Sequence, residues 1–221
     1  MIGRALARGF LALTGWKPEG TVPRGRCVLI AAPHTSNWDF PYTLAVAAAM
    51  RLRIRWMGKH TLFRWPWGPV MRALGGIPIQ RDRRSGVVDA AAALLREAEG
   101  DLVLVVPAEG TRSRVDYWKS GFYHIARAAK VPIVLGYLDF RRRRGGFGPA
   151  VPASGNVVET MNRIRAFYAD KVGKHPERFG PIRLREEEAP AVPAALRETV
   201  SLDGPPAPPT VGDPGAPTGA G

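Results

Sequence analysis

His34 and Asp39 stand five positions apart in the stretch Ala32-Pro33-His34-Thr35-Ser36-Asn37-Trp38-Asp39-Phe40-Pro41. An imidazole whose tautomer is fixed by a carboxylate can take a proton from an alcohol near neutral pH, the carboxylate steadying the imidazolium that forms. The apolar run Cys27-Val28-Leu29-Ile30-Ala31 comes just before it and reads as a buried strand that releases His34 into a loop. Ser36 or Asn37 is expected to cap a helix running through Pro41 to about Leu52, which places Asp39 in its first turn. The same spacing also describes a surface histidine and an aspartate that merely favours the helix dipole. A second feature has to decide between the two.

That feature is Pro107-Ala108-Glu109-Gly110-Thr111-Arg112-Ser113, which directly follows the apolar run Leu102-Val103-Leu104-Val105-Val106. A second strand thus delivers a polar turn to its carboxyl end, where open α/β sheets place their ligands. Gly110 lets the backbone approach an anion, the Thr111 hydroxyl can donate, and the Arg112 guanidinium can grip a phosphate with two parallel hydrogen bonds. Taken by itself the turn also fits a solvated Glu109–Arg112 pair of little energetic weight.

Together and in this order the blocks resemble the glycerolipid acyltransferases, the lysophosphatidic acid (1-acylglycerol-3-phosphate) acyltransferase family. The resemblance rests on four blocks: His34 to Asp39; Gly76-Ile77-Pro78-Ile79-Gln80-Arg81; Ala108 to Ser113; and Val131-Pro132-Ile133-Val134. Gly58-Lys59-His60-Thr61-Leu62-Phe63 resembles the family's lysine-bearing segment, and Trp118-Lys119-Ser120-Gly121 its Phe-Lys-x-Gly. Three positions depart from the pattern: Pro33 for asparagine, Ala108 for proline and Leu135 for a second proline. Every ionisable position is kept, so the departures bear on the acceptor rather than on the reaction.

The resemblance implies transfer of an acyl group from acyl-CoA or acyl-carrier protein to a lysophospholipid hydroxyl, lysophosphatidic acid by default. His34 is then the general base and Asp39 its partner. Arg81 and Arg112, with Lys59, hold phosphate, and Glu109, Gly110 and Thr111 shape the pocket. No cofactor beyond the thioester co-substrate is expected, and no metal, since the four histidines lack the paired spacing of a zinc site. Ser36 and Ser113 lie outside any Gly-x-Ser-x-Gly elbow. Two alternatives stay open: another lyso-lipid acceptor, such as lyso-ornithine lipid or a glycolipid, or a non-catalytic basic module for lipid or nucleic acid. Basic charge alone explains none of the His34, Asp39 and Glu109 placements, so no nucleic-acid partner is expected.

Positioning these groups requires a scaffold, and the pattern alternates between strands and helices. Strands are expected near 27–31, 54–57, 76–79, 102–106 and 133–138, with a further one near 182–184. Helices are expected near 3–13, 38–52, 69–74, 87–99, 120–129 and 157–172. This is an α/β fold: a single domain with a mostly parallel or mixed central sheet flanked by helices. The expected division is an N-terminal amphipathic segment over 1–20, the acyltransferase domain over 21–185, and a Pro/Gly/Ala-rich disordered tail over 186–221. Arg141 to Gly146 reads as a solvated turn, and the Gly145 to Gly148 cluster lacks the setting of a dinucleotide fingerprint.

The chain of 221 residues carries a net charge of +13, and the acidic tail leaves about +18 on residues 1–185. A unit that basic seeks phosphate-rich surfaces. Arg4 and Arg8 among apolar residues of the first segment, and the aromatic cluster Phe63-Arg64-Trp65-Pro66-Trp67, favour the bilayer interface. No apolar run reaches the roughly 20 residues that span a bilayer, and the start shows no secretory pattern. The expectation is a peripheral protein on the cytoplasmic face of an anionic membrane. The lone Cys27 sits in an apolar strand and is expected to be core.

Overall fold

The computed structural model describes residues 3–79, 84–153 and 156–188. A seven-stranded sheet runs in the order β1-β7-β6-β2-β5-β3-β4. Its strands are β1 (Lys17–Gly20), β2 (Arg26–Ala32), β3 (Ile54–Lys59), β4 (Gly76–Ile79), β5 (Leu102–Val106), β6 (Ile133–Asp139) and β7 (Arg144–Val151). All neighbouring pairs are parallel except β6 and β7, which form an antiparallel hairpin. The helices are α1 (Arg4–Leu13), α2 (Asp39–Ala49), α3 (Gly68–Ala73), α4 (Arg84–Glu97), α5 (Gly121–Ala129) and α6 (Val157–Tyr168).

The central strands are apolar on both faces because helices cover both, the usual consequence of parallel crossovers. On one face Val28, Ile30, Leu104 and Ile133 pack against Leu95 of α4, Phe122 of α5 and Ile164 of α6. On the other, Cys27, Leu29 and Val103 meet Ala7 and Leu11 of α1 and the alanine-rich flank of α2. Each fully buried Leu or Ile contributes roughly 1.5–3 kcal/mol. Cys27 is core: burial first, then the charge of Asp101, pushes its thiol up to about 12.

Five expected strands and all six helices form. The expected strand near 182–184 does not: Arg183 N–H turns back to the Pro181 carbonyl, and only Leu184 of that segment is buried. Two strands were not expected. Lys17-Pro18-Glu19-Gly20 has little strand propensity, and the glycine-rich start of β7 reads as a turn. Gly146 is required there because a Cβ would collide with the Glu19 carbonyl of the paired strand. Of the arginine run, Arg141 to Arg143 make the β6–β7 turn, in which Arg142 bridges Asp139 (3.0 Å) and Asp170 (2.8 Å).

Glu186 to Glu188, assigned by composition to the tail, are held on the folded unit. Glu187 Oε2 meets Arg165 at 2.7 Å, and Glu188 accepts from the Tyr117 hydroxyl at 2.8 Å. The remainder of the tail lies outside the described residues.

Candidate active site

Strand pairing explains how turns some 70 residues apart in sequence meet. β2 and β5 are parallel neighbours with Ile30 opposite Val106, so both chains leave the sheet at one carboxyl edge. His34 follows Ile30 by four residues and Glu109 follows Val106 by three. The His34 main-chain N–H donates to Glu109 Oε1 at 2.6 Å. β3 ends at the same edge, where Lys59 follows Trp56, the partner of Val105.

Within the first turn, Asp39 Oδ2 lies 3.1 Å from His34 Nδ1 and accepts the Ser36 N–H at 2.9 Å. A carboxylate only accepts, so the partnership puts the proton on Nδ1 and leaves the Nε2 lone pair for an incoming hydroxyl. The imidazole is 18% exposed and the Asp39 side chain 5%, so the bond is shielded while the ring stays reachable. The second Asp39 oxygen, Oδ1, is buried with no hydrogen-bond partner among the described residues. Neither Ser36 nor Asn37 caps the helix as expected: the residue before α2 is Trp38, with no side-chain cap, and the Ser36 hydroxyl instead accepts from Trp38 N–H at 3.2 Å within the preceding turn.

Glu109 corrects its expected role in the substrate pocket. It is fully buried behind the imidazole and is absent from the lining of the cleft described below. Burial, opposed by the His34 N–H bond and aided by the charge of Asp39, pushes its carboxyl up to about 8. At neutral pH it is therefore mostly a carboxylic acid, with Oε2 buried and unpartnered among the described residues. Its structural part is to anchor the backbone of the turn that carries His34.

Gly110 makes the second turn possible. Its φ is +71°, and a Cβ would fall 2.9 Å from Lys119 Cγ. Lys119 N–H in turn donates to the Ala108 carbonyl at 2.7 Å, tying the Trp118-Lys119 segment to this turn. Beyond Gly110 the chain exposes Thr111 and Arg112.

A cleft of about 680 Å³ opens between α2 and α3, and His34, Asp39, Lys59, Gly110, Thr111 and Arg112 all line it. Among these described lining residues Asp39 is the only carboxylate. Away from this polar mouth the walls become apolar, with Phe40, Leu44, Ile54, Trp56, Leu62 and Met71. Phe40 and Trp56 meet edge to face at 5.0 Å, joining α2 to β3, and Trp56 Nε1 donates to the Leu74 carbonyl at 2.9 Å. The result is amphipathic: the His34 imidazole and two cations at one end, a hydrocarbon-lined trough behind. Arg81 lies outside the described residues.

Sequence reasoning missed the segment that backs the histidine turn. Thr35 is fully buried and its hydroxyl accepts from His175 N–H at 3.2 Å, while Gly173 packs so closely that a Cβ would lie 2.7 Å from that hydroxyl. Only a glycine just past an expected helix marked the place.

Similarities to known proteins bear on the family and the fold. A family model described as Acyltransferase matches residues 17–135, more than half of the chain. The crystal structure of the 1-acyl-sn-glycerophosphate (LPA) acyltransferase PlsC from Thermotoga maritima resembles this one with a TM-score of 0.50. The two are 18% identical over 77% of this chain and 80% of that one, a likeness of fold. No curated protein matches the chain in sequence.

Proposed function

The chain belongs to the acyltransferase family, and from that membership we propose that it moves a fatty acyl group from a thioester to a lysophospholipid hydroxyl. The acceptor of first choice is lysophosphatidic acid, and the donor is acyl-CoA or acyl-carrier protein. One observation carries this reading: the His34–Asp39 pair, 3.1 Å apart, stands at the cationic mouth of an apolar cleft.

The chemistry follows from that placement. His34 Nε2 takes the proton of the acceptor hydroxyl, and Asp39 stabilises the imidazolium. The acceptor oxygen attacks the thioester carbonyl carbon, the C–S bond breaks, and the imidazolium returns the proton to the departing thiolate. No acyl-enzyme forms. Lys59 and Arg112 hold phosphate at the mouth, fixing the hydroxyl against the base. The trough behind takes the fatty acyl chain.

Peripheral membrane association, on the cytoplasmic face, belongs to the same proposal. Trp65 (89% exposed) and Trp67 (67%) stand on the segment leading into α3, and Leu13 (91%) projects from α1. Such side chains favour the bilayer interface. No described helix is long and apolar enough to cross a membrane.

The test offers purified protein a panel of lyso-lipids with each donor and follows thiol release. Acceptor-dependent release, greatest with lysophosphatidic acid, is expected; no release with any acceptor defeats the reading.

A further inference from the structure

A second depression lies between α2 and α3, at the amino-terminal end of β3. It encloses about 590 Å³ and is lined by Arg4, Arg51, Arg53, Arg55 and Arg72. Leu44 and Ile54 belong to its floor and also line the catalytic cleft, so the two cavities stand back to back. Among the described residues no carboxylate pairs with any of the five arginines.

Two details show that this charge is unneutralised and held at some cost. Arg51 is the main cause, ahead of desolvation and Arg8, that lowers the proton affinity of the Arg4 guanidinium. Arg51 itself has φ +62°. It follows the last residue of α2's cap, Met50, where its own N–H and that of Leu52 return to the Ala48 and Ala47 carbonyls at 3.1 and 2.8 Å. Glycine is the residue suited to that position, and a side chain strains it.

We infer that this depression is a binding site for the phosphate headgroup of an anionic membrane phospholipid. Guanidinium forks match phosphate oxygens, and the apolar floor suits the glycerol and first methylenes beneath a headgroup. Leu6 and Leu13 of α1 and Val70 of α3 are exposed on the helices that border it, as a surface laid against lipid requires. An acidic protein would satisfy the charge and leave the floor and these leucines unused. The site deepens the membrane reading above and is separate from the catalytic cleft.

The test is co-sedimentation of the full chain with phosphatidylcholine vesicles, with and without phosphatidylglycerol. Arg51→Gly removes a charge while relieving the backbone, so lost binding cannot be ascribed to lost folding. Lys130→Gly is its matched control: Lys130 has φ +54° at the end of α5, on the opposite face of the sheet. Both variants should melt at or above the wild-type temperature. Arg51→Gly should bind phosphatidylglycerol vesicles about fivefold more weakly, and Arg4→Gln with Arg51→Gly about 25-fold, while Lys130→Gly binds as the wild type. Unchanged vesicle binding in Arg51→Gly overturns the site, as does equal weakening in Lys130→Gly; a parallel measurement of binding to purified acyl-carrier protein overturns it too if Arg51→Gly weakens that binding alone. His34→Ala must bind vesicles as the wild type does, so that failure of acyl transfer and failure of this site are read apart.

Discussion

The two turns at the carboxyl edge divide the work of the site in opposite ways. The turn after β2 brings its chemistry out: His34 faces the cleft, and Asp39 is held near it by a contact five residues long. The turn after β5 keeps its carboxyl in, with Glu109 fully buried beneath the His34 backbone while Thr111 and Arg112 face outward. Two acidic side chains beside one imidazole therefore do different things. Asp39 acts on the ring, whereas Glu109 acts on the main chain that carries it.

The sharpest way to break the comparison is to remove the ring. His34→Ala should lower turnover by about 10²–10⁴-fold, the range of a general base, with an unchanged melting temperature. Asp39→Asn should cost turnover about 10²-fold, because the ring remains but its tautomer is no longer fixed. Kinetics of thiol release check both.

Glu109 should behave otherwise. Glu109→Ala leaves the His34 N–H without an acceptor and should destabilise the fold by about 1–3 kcal/mol, whereas Glu109→Gln keeps an acceptor and should retain most activity. Folded Glu109 holds its proton up to about pH 8, while the unfolded residue releases it near 4.5. Wild-type stability should therefore fall as pH rises between those values, and Glu109→Gln should flatten that slope. Urea unfolding at both ends of the window decides it. Gly110→Ala should cost about 1–2 kcal/mol through its left-handed backbone, seen as a lower urea midpoint. The smallest effect is expected of Arg112→Ala, roughly a tenfold higher KM for the phosphate-bearing acceptor with kcat nearly kept.

What sequence could show follows the same division. The His34–Asp39 pair was legible because it is local, set by one strand end and one helix start. The buried role of Glu109 was not, since it depends on β2 and β5 being neighbours, a matter of strand order rather than spacing. Apolar runs disclosed the central strands. β1 and β7 escaped because Lys17-Pro18-Glu19-Gly20 and Arg144-Gly145-Gly146 carry neither alternation nor β-branched residues, and they pair through close backbone approach instead. The arginine depression was hidden for a similar reason: Arg4 and Arg72 join Arg51 to Arg55 only once α1 and α3 have folded against α2 and β3.

Acceptor dependence of thiol release most directly tests whether the His34 imidazole activates the acceptor hydroxyl for direct transfer. With thioester donor alone the wild-type protein should release almost no thiol, and adding lysophosphatidic acid should start steady release that His34→Ala abolishes. A burst of one thiol per active site without acceptor, surviving in His34→Ala, would contradict the account.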